Sequence, residues 1–269
     1  MIDFIRRNEI WVFFATIVLA NSIFVGAIKF GLLPMGLYGH GRFLLLGGVL
    51  FAIVMLARGA GGIGELLRPM LKWRVSPIWY LVAIFWGAAN MVLFLVGKGV
   101  VTGNGLSEVT ANFNLVTRPG FLLTLFVGSF VGEIVWISYS VRKLSDHFTV
   151  YMAAMITGVV WTLWWMPMVV LNVGILPDLP FLALLINQCG VAAVAAFLYW
   201  HTRSGLVVLI GQFLFNAGLL VFPVAPTTGG IPTYYAFAVT FFITTLLLYL
   251  VKGPKPLFGR RVATRQIVV

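Results

Sequence analysis

The sequence predicts an all-α polytopic membrane protein, a single bundle of about eight transmembrane helices. Three observations predict it. Hydrophobic residues make up 61% of the 269-residue chain and charged residues only 9%, where a soluble domain carries about a quarter. The apolar residues come in runs of about 20, the length that crosses a hydrocarbon core. The basic residues collect at the ends of those runs.

The runs fall at roughly 9–30, 42–58, 76–97, 119–142, 148–171, 179–200, 204–222 and 232–251. The second is the shortest. No strand-like alternation competes with them. If the first run crosses outward, one side receives Arg6, Arg7, Arg58, Arg68, Lys72, Arg74, Arg142, Lys143, Arg203, Lys252, Lys255, Arg260, Arg261 and Arg265. The other receives Lys29, Arg42, Lys98 and Arg118. That is 14 of 18 basic residues on one side, which predicts both termini in the cytoplasm and a place in the cell (inner) membrane. The net charge of +11 is then a topology and headgroup signal. It predicts membrane lipids as partners and no nucleic acid.

The first run follows Arg6 and Arg7 and ends near "VLANS", which imitates a signal peptide. It continues to about Phe30, long enough to span, so it is read as an uncleaved helix. Residues 59–75 form the one sizeable loop on the basic side. Their second half sets Leu66, Leu67, Met70, Leu71 and Trp73 among Arg68, Lys72 and Arg74, a pattern for a short amphipathic helix on the inner leaflet. Residues 252–269 are a basic tail, expected to be mobile or to lie on headgroups. The whole chain, 1–269, is one transmembrane domain.

Several motifs carry no chemistry. "GAGGIG" at Gly59–Gly64 follows a span and not a strand, so it is a flexible turn and not a dinucleotide loop. His40, His147 and His201 sit at span ends without a ligand spacing, and Cys189 is alone. No metal and no cofactor is expected. "GxSxG" is absent.

Glu133 is the acid that falls deep inside a predicted span. A carboxylate there is costly and faces a partner or a water-filled cavity, which makes it the first candidate for a site. A structural carboxyl, protonated and hydrogen-bonded within the bundle, is the alternative. Glu133 lies nine residues before Arg142, and Gln212 nine after Arg203. At 1.5 Å per residue both sit roughly 14 Å in. Gln212 and Asn216 share a helix face, so a Glu133–Gln212–Asn216 cluster is expected. Trp161, Trp164, Trp165 and Met168 form a stripe at helical spacing, by itself a packing face.

Together these stretches resemble the CPBP family of CAAX proteases and bacteriocin-processing membrane proteins. That family carries Glu-Glu-x-x-x-Arg, a histidine in a "W-x-x-W-H-x-P" setting, and His-x-x-x-Asn. "LKWRVSPIWYLVAIFWG" (Leu71–Gly87) is similar to a further family feature, and the likeness covers about Gly64 to Gly218. The catalytic letters differ. "GEIVWISY" puts Gly132 at the first Glu, Glu133 at the second and Ile137 at the Arg. "WTLWWMP" puts Trp165 at the first His, and "GQFLFN" puts Gln212 at the second His and Asn216 at the Asn. The resemblance implies that the first Glu and His activate water, and that the second His and the Asn stabilise the oxyanion. Gly132 and Trp165 can transfer no proton. Gln212 and Asn216 can still donate to a carbonyl.

The expectation is therefore a catalytically degenerate member of that fold. It would bind a lipidated or membrane-embedded peptide or protein at Glu133, Trp165, Gln212 and Asn216 without cutting it. Bacteriocin immunity is one context the resemblance implies. Gly128 and Gly132, a GxxxG, would serve close helix packing, and Trp165 would fill the volume of a His and its water. Two rivals use Glu133: an active endopeptidase with a rearranged site, and a small-solute or proton pathway.

Overall fold

Apolar runs become helices almost end to end in the computed structural model, which describes residues 2–174 and 178–260. Among those residues there are nine α-helices of six residues or more: α1 (Ile2–Arg7), α2 (Glu9–Lys29), α3 (Tyr38–Leu67), α4 (Pro77–Thr102), α5 (Pro119–Gly132), α6 (Val150–Leu171), α7 (Phe181–Thr202), α8 (Gly205–Val221) and α9 (Ile231–Lys252). Beyond Gly132 the α5 rod continues as a π-helix, Glu133–Val141, and one closing turn, Arg142–Leu144. Seven stretches are long and apolar enough to cross a membrane, and α8, at 17 residues, is shorter.

The expectation of eight spans is adjusted in one respect. The second run is not the shortest: with its flanking turns it extends over Met35–Leu71. The short helix is α8, about 25 Å at 1.5 Å per residue. The segment before α5 reaches to its end, where the Asn112 amide donates to the Val221 carbonyl at 2.8 Å.

The helix ends follow local chemistry. Pro77, Pro119 and Pro232 stand in first turns, where a missing N–H costs no hydrogen bond. Thr149 and Ser204 cap α6 and α8 by accepting from Met152 and Val207. Gly103, Asn172 and Arg203 close α4, α6 and α7 in the left-handed region.

Two expectations for the basic end are corrected. Residues 59–75 are mostly not a loop. The backbone leaves helical geometry at Gly59 (φ 66°, ψ −163°), then resumes helix to Leu67 and a 3-10 turn, Arg68–Leu71. Only glycine tolerates that φ and ψ without strain, so "GAGGIG" supplies a kink. The tail is also docked through Arg260. Thr149 donates its amide to Gly259 and its hydroxyl to Leu257, and Phe258 packs edge-on against Tyr151. The tail from Arg261 onward, with Arg265, lies outside the described residues.

The core lies where α7 and the π-helix meet the rest. All nine residues Glu133–Val141 are buried. Large apolar side chains such as Leu19, Leu44, Phe85 and Leu93 stay exposed on the outer helix faces, as expected where lipid is the solvent. α6 comes close to α7: a Cβ at Gly158 would lie 2.7 Å from Cys189 Cα and 3.0 Å from its amide nitrogen. Backbone cannot yield as a side-chain tip can. Gly158→Ala should therefore cost about 2 kcal/mol, measurable as a lower unfolding midpoint in mixed micelles.

Candidate functional site

Gly132 ends α5, and across from it runs α8. Three contacts line up along this pair. Asn216 Nδ2 donates to Ser129 Oγ at 3.1 Å. One turn nearer the basic end, Gln212 lies over Gly132, where an added Cβ would sit 2.7 Å from Gln212 Nε2. Nearer still, a Cβ at Gly205 would be 3.0 Å from Glu133 Oε1.

The expected cluster is therefore drawn out into a ladder. Glu133 is fully buried, and its Oε1 accepts from Ser138 Oγ at 2.6 Å while Oε2 has no hydrogen-bond partner. The π-helix explains the pairing. Residues five apart are about 140° apart around an α-helix, but the wider π turn brings them to one side. Ser140 Oγ bonds the Val135 carbonyl by the same spacing. The Glu133 carboxyl is thus turned toward the start of α8 and away from Asn216.

The other motif positions are packed. Ile137 is buried. The GxxxG does not bring two backbones together: Gly128 accommodates the Phe43 ring, 2.8 Å from a Cβ there, and Gly132 the Gln212 amide. Trp165 is turned to α7 and α3 instead of filling space beside Glu133. Its indole and that of Trp161 lie 3.0 and 3.1 Å from the Gln188 amide, set to donate to its oxygen. The aromatic filling comes from its neighbours. Trp136 stacks on Trp161 (centroids 5.4 Å) and meets Trp164 edge-on (6.1 Å).

On the other side of α8, a crevice between α4 and α7 has about 20 Å³ of free space, room for roughly one water. Its walls include Ala83, Gly87 and Val194, and its lining residues carry two polar atoms that have no partner, Gln212 Oε1 and the Trp86 indole nitrogen.

Two charged groups escaped the sequence reading. Arg42, one of the span-end cations, is 2% exposed. Its guanidinium lies 4.2 Å from the Trp164 ring centre, 4.7 Å from Trp165 and 4.9 Å from Tyr38, whose hydroxyl accepts from Nη1. The Tyr38–Arg42 spacing of four was visible; the tryptophans, some 120 residues on, were not. Glu9, at the start of α2, is 3% exposed. It pairs with Arg58 at 2.9 Å and Lys143 at 3.8 Å, and Arg58 also reaches Glu65. Its signal was an acid opening one span and an arginine closing the next.

Tyr80 Oη donates to the Trp73 carbonyl at 2.6 Å. That bond folds the "WR…WY" stretch into the turn between the 3-10 segment and α4. Among the described residues no three His, Cys, Asp or Glu side chains converge as metal ligands. Comparison with protein-family models and with curated proteins finds no match. The chain is an integral, multi-pass helical membrane protein.

Proposed function

We propose that this protein is a non-catalytic member of the CPBP fold that holds a lipidated or membrane-embedded peptide without cutting it. The observation that carries the proposal is the contact between Gly132 and Gln212. A glutamate at 132 would need the space that the Gln212 amide occupies. In this reading the side chain that stands for one catalytic group rests in the place of another, and a side chain at 132 would have to displace it.

Glu133 gives no base in this arrangement. A general base needs reach to its proton, and this carboxyl is fully buried with one oxygen bound by Ser138. Gln212 is differently disposed. It lines an apolar crevice and its oxygen has no partner, which is the chemistry that takes one backbone N–H of an otherwise greasy guest. The crevice has room for about one water, so the reading requires α4, the spanning helix with the smallest buried share, to move aside for a peptide or prenyl chain. Both termini then face the cytoplasm, in keeping with the basic residues gathered at that end.

Site-specific photo-crosslinking tests the proposal. Benzoylphenylalanine replacing Trp86, on the crevice wall, should capture a prenylated C-terminal peptide. The same group at Leu93, which is 69% exposed on α4, should not. Equal labelling at both would contradict it.

A further inference from the structure

The basic end of the bundle holds an open cavity of about 540 Å³, within the size range of ligand pockets. It is lined by Arg68, Pro69, Leu71, Lys72, Arg142 and Arg203. Four of six lining residues are cations, and they come from the end of α3, the following turn, the end of the α5 rod and the end of α7. Among the described residues none of the four forms a salt bridge, although Arg142 is within electrostatic reach of the buried Glu133. Their neighbours do form them: Arg58 and Lys143 are neutralised by Glu9 and Glu65.

Cations gathered around one pocket repel, and the fold anchors Arg142, Arg203 and the Lys72 backbone there. Arg142 Nη1 donates to the Glu65 carbonyl at 3.2 Å. Arg203 is held in the left-handed region (φ 53°) with its guanidinium 4.6 Å from the Trp200 ring centre. The Lys72 carbonyl accepts from the Ser204 hydroxyl, which ties that turn to the start of α8. Helix C-termini offset part of the repulsion, each with about half a charge. The N-terminus of α8, beginning two residues after Arg203, adds to it.

We propose that this pocket binds a phosphate group, and that the phosphate is the headgroup of an anionic phospholipid. Arginines clustered on a pocket wall match phosphate oxygens. The rim supports the lipid source. Leu71 is 78% exposed and Trp73 61%, and they flank Lys72 where acyl chains and the interface would take them.

The test is calorimetric titration of the full-length protein in neutral detergent. The probes are short-chain phosphatidylglycerol, short-chain phosphatidylcholine and inorganic pyrophosphate. Phosphatidylglycerol should bind saturably at one site. Arg68→Gln with Lys72→Gln, both exposed positions, should weaken it about thirtyfold. The charge-keeping pair Arg68→Lys with Lys72→Arg should retain it. Arg7→Gln with Lys252→Gln, exposed at the same end but outside the pocket, should change it about twofold or less. Pyrophosphate that competes, with the same dependence on Arg68 and Lys72, would uphold the phosphate site and move its source from lipid to a soluble phosphate. Phosphatidylcholine binding as tightly, or equal losses in the two glutamine pairs, would overturn the proposal.

Discussion

Trp164→Ala should destabilise the protein by about 4 kcal/mol, the largest loss expected of any single truncation here. Trp164 is 1% exposed and joins three groups of contacts. It meets Trp136 in the π-helix, Phe43 on α3 and Trp165 on its own helix. It also offers its face to the Arg42 guanidinium at 4.2 Å. Removing it opens a cavity and leaves the buried Arg42 guanidinium with two of its three close aromatic faces, Trp165 and Tyr38. Its indole nitrogen has no hydrogen-bond partner, so Trp164→Phe should recover more than half of the loss. Reversible unfolding in mixed micelles measures both. A loss under about 1 kcal/mol for the alanine variant would mean that the ring is not a packing centre.

Glu9→Gln should cost about 3 kcal/mol. The carboxylate is 2% exposed as a side chain and serves Arg58 and Lys143 together. Removing one member of a buried pair leaves its partner's charge unsolvated, which costs more than the pair itself contributes. Arg58 keeps Glu65 at 3.2 Å, but that carboxylate is 67% exposed, so Glu65→Gln should cost under about 1 kcal/mol. The contrast isolates burial, since one arginine serves both acids. Equal effects in the same unfolding assay would show that the Glu9 network is an ordinary surface pair.

Much of the fold was legible in the sequence because bilayer thickness fixes span length and charge marks span ends. The neighbourhood was legible too: Gly132, next to Glu133, lies beside Gln212. Direction was not legible. Counting places a Cα at a depth, but the π-helix decides which way the side chain leaves it, and it turns Glu133 toward Gly205 and Ser138. Arg42 was misplaced for a related reason. A cation near a span end ordinarily reaches headgroups, and only tertiary packing brings it the rings of Trp164 and Trp165. The docked segment before Arg260 was missed because its polar, proline-containing sequence carries no periodicity. It is held by backbone bonds to Thr149 that no local pattern announces.

The most direct test of the central claim is a proteolysis assay in liposomes. The wild type is offered prenylated peptides and membrane-protein C-termini beside a variant with Gly132→Glu, Ile137→Arg, Trp165→His and Gln212→His. Positions 132 and 212 are changed together because a side chain at 132 displaces the Gln212 amide. The account predicts no cleavage by the wild type, with the same substrates retained by it in pull-down. Cleavage by the wild type that Glu133→Gln abolishes would contradict it.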